Sequence, residues 1–314
     1  MAMSRLHKYA LLSLLTALLT ANPAHAGKVS VVREAIPDLP LRYIYFPDNL
    51  AKLAKPAPVI VWANGGCSRN DQDWVPLYER WAKAGYVVLT VSTPDAKPRT
   101  REVFESYRNM PPPKFVPRSG PPLAPGQLEG GANDAVDFQS TAIDWVAKTQ
   151  QSDSKFRGRL DPSRIAAAGN SCGGIASLHL AAKDPRVKAV YILSGSVNPV
   201  GTPESNAQVL STVMVPTIWI VGGPEDIARP NAESDFKLMP AKTPVVLIRR
   251  DSFDHPQMTY EPEIRRDAGE IGVAWFDAIL RNDTAATRLL GTKGCKTCNR
   301  AHWRIETRNF EPRR

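Results

Sequence analysis

The chain has 314 residues, 43% of them hydrophobic and 23% charged, with a formal net charge of +9 at pH 7. That length suffices for one large α/β domain with a well-buried core. Its excess of Lys and Arg is scattered through stretches that also hold acids, such as RRDSFDH and EIRRDAG. No long basic block with interleaved aromatics appears, which argues against nucleic acid as a partner and leaves affinity for an anionic cell envelope open.

Residues 1–26 read as a secretory signal. Arg5 and Lys8 make a basic start, YALLSLLTALL is an apolar run short for a bilayer span, and Ala24-His25-Ala26 gives the small-x-small pattern of a cleavage site. A retained anchor is the rival reading, but no stop-transfer flank follows the run. The expectation is a bacterial protein, secreted or periplasmic, cleaved after Ala26 and without stable membrane insertion. The mature chain, 27–314, is expected to form a single domain, with nothing in it to fix the oligomeric state. Its four cysteines, Cys67, Cys172, Cys295 and Cys298, all follow the signal, and an even number in an exported chain favours two disulfides.

Strand and helix patterns then alternate. KVSVV and LRYIYF open as a strand pair, and APVIVWANGG is a continuous apolar run stopped by glycines, as in a buried parallel strand. A helix is expected near 72–84, followed by the buried strand YVVLTVS. Residues 93–129 interrupt the alternation with nine prolines between Pro94 and Pro125. Such a segment is biased toward extended or turn geometry, and its role stays open between a substrate-shaping lid and a surface excursion. A helix over about 131–149 carries Ala135, Phe138, Ala142 and Trp145 on its apolar face. DPSRIAAAG gives a turn and a short strand, and GGIASLHLAAK a helix. VKAVYILSGS, PTIWIVGG and TPVVLIRR continue as strands, and a last helix aligns Ile264, Ala268, Ile271, Trp275 and Ile279 on one face. This order specifies a mainly parallel sheet with helices on both faces, and ligands bind beyond the carboxyl ends of such strands.

Gly169-Asn170-Ser171-Cys172-Gly173 fits G-x-S-x-G in its required context, after a predicted strand and opening a predicted helix. A nucleophile on that strained turn needs small neighbours, and the helix N-terminus puts N–H groups where an oxyanion forms. A serine hydroxyl needs a base, and the base an orienting acid. Asp226 and Glu225 follow one later strand and His255 the next, giving the chain order Ser, Asp, His. Asp226 is preferred as the acid over Glu225, given glutamate's longer reach. His179, on the helix after Ser171, reads as packed or surface, His302 lies near the C-terminal CxxC, and Asp254 reads as a turn residue. Asn64-Gly65-Gly66-Cys67 ends its strand at the position of an HGGG-like oxyanion loop. Gly66 or Cys67, with Gly65 also open, would donate from there, together with the Cys172 amide.

NGGC, GNSCGG and GGPEDIA together resemble the α/β-hydrolase superfamily, and more narrowly its exported bacterial serine esterases. The likeness covers about residues 28–310. It implies an eight-stranded, mostly parallel sheet and an acyl-enzyme mechanism that needs no metal or organic cofactor. Asn64 stands where the commoner pattern has histidine, which leaves the donor residue open. Relatives with a cysteine nucleophile place it at the elbow itself, so Ser171 is the nucleophile and Cys172 its neighbour.

That fold would bring Cys67 and Cys172 together beside the oxyanion site, predicting a Cys67–Cys172 disulfide, with two buried thiols as the rival. Cys295 would pair with Cys298; zinc at Cys295, Cys298 and His302 lacks a fourth ligand and is disfavoured. The function expected is hydrolysis of small-molecule or polymeric carboxylic esters. A peptidase or amidase of the same fold and an inactive envelope-binding protein are the alternatives.

Overall fold

A computed structural model describes residues 29–106, 108, 131–152, 154–199, 201–291 and 302–311. The signal segment, most of the proline-rich interruption and the Cys295–Cys298 pairing lie outside the described residues. Among those described, no helix is long and apolar enough to cross a membrane.

The strands are β1 (Val31–Ala35), β2 (Arg42–Pro47), β3 (Ala57–Ala63), β4 (Val87–Val91), β5 (Leu160–Asn170), β6 (Val187–Leu193), β7 (Thr217–Val221), β8 (Val245–Arg250) and β9 (Trp303–Arg308). They form one sheet in the order β1-β2-β4-β3-β5-β6-β7-β8-β9. From β4 to β8 every pairing is parallel, while β1, β2 and β9 add antiparallel edges. The resemblance implied eight strands; the ninth is β9, which runs against β8 from Arg250↔Trp303 to Val245↔Arg308. Its sequence, WRIETR, is a charged edge strand without the apolar run that marks the interior ones.

The helices are α1 (Val75–Lys83), α2 (Arg101–Ser106), α3 (Gly131–Thr149), α4 (Cys172–Lys183), α5 (Pro203–Leu210), α6 (Arg229–Leu238), α7 (Gln257–Tyr260), α8 (Pro262–Leu280) and α9 (Thr284–Leu290). Successive strand residues point to opposite faces, so the sheet builds two cores. Ile60, Trp62, Ala168, Tyr191, Ile220 and Ile248 pack with α1, α8 and α9. Val59, Val61, Ala167, Ile192, Trp219 and Leu247 pack with α3, α4 and α6 on the other side. Both faces are covered, which is why these strands read as unbroken apolar runs.

Three local features depart from the sequence reading. On α3 the inward face is Ala132, Ala135, Gln139, Ala142, Ile143 and Val146, while Phe138 and Trp145 sit half-buried at its flanks. The polar Gln139 is accommodated there by its side-chain NH2, whose two hydrogens are shared among the carbonyls of Val61 and Ala168 and Ser177 Oγ, at 3.0, 3.1 and 2.9 Å, while its Oε1 is left without a partner among the described residues. The turn read at DPSR is a bulge within β5: Pro58 pairs with Asp161 but Val59 with Ile165. Asp161 Oδ1 accepts the Ser163 amide at 2.9 Å and closes the bulge. Within the proline-rich interruption, α2 forms and buries Phe104 against the Tyr260 ring, centroids 5.7 Å apart.

Candidate active site

The carboxyl ends of β3, β5, β6, β7 and β8 converge on one region. Beyond β5, Ser171 adopts φ 50, ψ −117, a conformation L residues rarely hold, and flanks α4 without capping it through its side chain. The glycines of the motif make this turn possible. A Cβ on Gly173 would stand 1.9 Å from the Ala63 carbonyl oxygen, and one on Gly169 would stand 2.3 Å from the Gly173 carbonyl. No other residue fits at either position, so the G-x-S-x-G spacing is a consequence of packing α4 onto β3.

Asp226 sits in the loop after β7, fully buried, and His255 in the loop after β8. His255 Nε2 lies 3.0 Å from Ser171 Oγ, and its Nδ1 lies 2.7 Å from Asp226 Oδ1. The carboxylate fixes the tautomer: Nδ1–H donates to Asp226, leaving Nε2 to accept the serine proton. Burial pushes the Asp226 carboxyl up, but the hydrogen bond and charge of His255, with donation from the Gly222 and Ala228 amides, outweigh it. The group is held below the ordinary aspartate value.

The rivals fall away on placement. Glu225 is exposed beside Asp226. His179 is buried on α4, where its ring donates to the Val197 carbonyl at 3.1 Å, and burial depresses it to about 4. His302 is exposed at the start of β9. Asp254 holds the start of α7 by accepting the Gln257 amide at 2.9 Å, and also receives Arg108 Nε at 2.5 Å. It is a turn residue, with an added ion pair that sequence reasoning did not foresee.

Opposite the serine, Gly65–Cys67 forms a single helical turn in which Gly66 has φ 63. Asn64, in the place of a histidine, is buried and fully engaged. Its Oδ1 accepts Trp62 Nε1 and Tyr78 Oη, and its amide donates to the Ser68 and Val91 carbonyls. It therefore anchors the turn rather than facing a ligand. A Cβ on Gly65 would meet Asn170 Oδ1 at 2.3 Å, so this glycine lets the turn lie against the serine loop. The Cys67 amide is already donated to the Asn64 carbonyl at 3.1 Å. The Cys172 amide, first in α4, has no acceptor within its own helix. A Cys67–Cys172 disulfide joins the two elements, Cα atoms 5.2 Å apart.

Sequence reasoning missed Ser194, just past β6. Its Oγ donates to Asp226 Oδ2 at 2.8 Å. The stretch SGS reads as an ordinary strand end, and only the folded backbone reveals the contact.

A mostly parallel sheet with a strained serine turn between its central strand and the following helix defines an α/β-hydrolase fold. The family model described as PETase, PET hydrolase-like, matches residues 133–308, more than half of the chain. The chain belongs to that family. It is similar to Cutinase 1 of Thermobifida cellulosilytica, 31% identical over 218 residues, covering 68% of this chain and 65% of the relative. A cutinase of Thermobifida fusca strain YX is also 31% identical over 218 residues, with 57% of its length covered. Cutinase est1 of Thermobifida alba is 28% identical over 162 residues, half of this chain. The chain thus spans less than two thirds of the length of the curated relatives it matches.

Proposed function

We propose that this chain is an exported serine hydrolase of carboxylic esters, acting through an acyl-enzyme on Ser171. The observation that carries the reading is the unbroken hydrogen-bonded line from Ser171 Oγ through the His255 ring to the buried Asp226 carboxylate. His255 Nε2 takes the serine proton as Oγ attacks the acyl carbon, and Asp226 stabilises the imidazolium that results. The oxyanion is received by the Cys172 amide and by the Gly66–Cys67 turn. The Cys67 amide is engaged within that turn, which favours Gly66 as the donor from it. His255 then protonates the departing alcohol, and water, deprotonated by the same ring, releases the acid. No metal or organic cofactor enters this sequence.

Polymeric esters are the substrate class favoured by kinship, since the relatives are named cutinases and the family is described as PET hydrolase-like. Residues 27–314 act as one domain after cleavage behind Ala26, and the role of the segment 93–129, lid or surface excursion, is read from substrate preference after its replacement by a Gly/Ser bridge. Hydrolysis of a p-nitrophenyl ester series, matching anilides and a polyester film tests this directly. Ester and film turnover that is lost in Ser171→Ala, with anilides left intact, is the expected result. Equal turnover by wild type and Ser171→Ala rejects the reading.

A further inference from the structure

Asp226 receives four donors, two on each oxygen. Oδ1 takes His255 Nδ1–H and the Ala228 amide; Oδ2 takes the Gly222 amide at 2.7 Å and Ser194 Oγ–H at 2.8 Å. Three come from the acid's own loop and from the histidine. The fourth crosses from β6, and the residue that supplies it is unusual. Ser194 is fully buried and has φ 45. Glycine or asparagine would meet that backbone at lower cost. What serine adds is a hydroxyl.

The segment that carries it is pinned along its length. The Ser194 amide donates to the Ile220 carbonyl at 2.8 Å, and the Val197 amide to Asp235 Oδ2 at 2.6 Å. The Val197 carbonyl accepts the His179 ring, and the Asn198 carbonyl accepts Asn206 Nδ2 at 3.0 Å. At its start the Leu193 carbonyl accepts both the Ser171 amide and Asn170 Nδ2, each at 2.9 Å. Gly195 lies so close to the Ser171 carbonyl oxygen that a Cβ there would be 2.9 Å away. One rigid stretch therefore touches the serine turn at one residue and the acid at the next.

We propose that Ser194 is a positioning residue for the Asp226–His255 pair. Its hydroxyl, held on Oδ2, fixes the rotation of the carboxylate so that Oδ1 alone orients the histidine ring. The inference rests on the reading of Ser171, His255 and Asp226 as the catalytic groups. His255 is the titratable group facing Asp226; Ser194, Gly222 and Ala228 face it as neutral donors. Without the hydroxyl, Oδ2 keeps a single donor, the carboxylate gains rotational freedom, and it binds a proton more readily.

Ser194→Gly removes the hydroxyl and relieves the backbone, so the fold should melt at an unchanged or higher temperature. With p-nitrophenyl acetate, kcat should fall about tenfold to a hundredfold, as for loss of a hydrogen bond to a charged group. KM should stay within about twofold, because the hydroxyl does not touch substrate. The acid limb of the pH–rate profile should move to higher pH, and labelling of Ser171 by an organophosphorus probe should slow in parallel. Ser196→Ala, removing another buried hydroxyl two residues on, should change none of these. Wild-type kcat and pH profile in Ser194→Gly overturn the proposal, as does a rate loss that tracks a fall in melting temperature with an unmoved profile. Ser171→Ala, assayed in parallel, separates the two levels: persistent turnover there rejects the underlying catalytic reading, whereas its loss leaves any Ser194 failure specific to this inference.

Discussion

The Gly223 amide donates to the Phe253 carbonyl at 2.6 Å, tying the loop of the acid directly to the loop of the histidine. The preceding glycine makes the approach possible, since a Cβ on Gly222 would lie 2.2 Å from that same carbonyl oxygen and 2.9 Å from Asp226 Cβ. Gly222→Ala is accordingly expected to push the two loops apart. Stability should drop by about 1–3 kcal/mol, as for overpacking of a buried contact. The rate of ester hydrolysis should fall at least about tenfold, because small displacements of a catalytic base are heavily penalised. Urea denaturation alongside steady-state kinetics checks both; an unperturbed rate would show that the loops do not set the His255 position.

Substitutions in the proposed catalytic line should have a fixed order of severity. His255→Ala should lower kcat by about three or more orders of magnitude, because one ring serves as both base and acid. Asp226→Asn should follow closely, since an amide can favour the wrong tautomer. Glu225→Gln should change little, its side chain being exposed. Active-site titration with an organophosphorus ester, by mass spectrometry of the Ser171 peptide, gives the same ranking independently of substrate choice. A severe Glu225→Gln defect with a mild Asp226→Asn one would exchange their roles.

Asp235 should make stability depend on pH in a direction opposite to most carboxylates. Burial, opposed only by donation from the Val197 amide, raises it to about 7, and its Oδ1 has no hydrogen-bond partner. Its folded-state proton affinity thus exceeds the unfolded one. Between about pH 4 and 7 the folded chain holds a proton that the unfolded chain has lost, so stability falls as pH rises through that window. Asp235→Asn should remove this dependence, gaining on wild type more at pH 8 than at pH 5. Denaturant midpoints at the two pH values measure it, and parallel shifts in wild type and variant would contradict the assignment.

Loss of the Cys67–Cys172 bond, by reduction or by the double substitution to serine, should lower stability by roughly 3–5 kcal/mol, the scale for a loop of 105 residues. Hydrolysis should weaken as well, because the bond holds the Gly65–Cys67 turn against the start of α4. Peptide mapping after unfolding without reductant should find neither cysteine alkylated, and the same map reports whether Cys295 and Cys298 are joined.

Much of this was legible beforehand, and the reasons are local. β3, β6, β7 and β8 are covered on both faces, so their sequences are continuous apolar runs. The serine turn is tight enough that packing alone dictates its glycines. Contacts that depend on distant backbone were not legible. Gln139 looks like a surface residue until two strand carbonyls and Ser177 are brought to it, and the helical period by itself pointed to Phe138 and Trp145. β9 is held by main-chain pairing with β8 rather than by an apolar run. Ser194 gives no signal at all, because its significance lies in a backbone angle and in an acid 32 residues further along.

The disulfide also holds the alignment of the two strands at the centre of the sheet. β3 and β5 are paired with Ala63 opposite Gly169, and the bonded cysteines follow a few residues beyond, at positions 67 and 172. The smallest slip that keeps every side chain on its own face is two residues, a displacement of about 7 Å along the strand. That displacement is larger than the 5.2 Å separating the two bonded Cα atoms, so the crosslink resists it. The bond therefore ties β3 and β5 in their native alignment at the spot where a slip would take apart the serine turn.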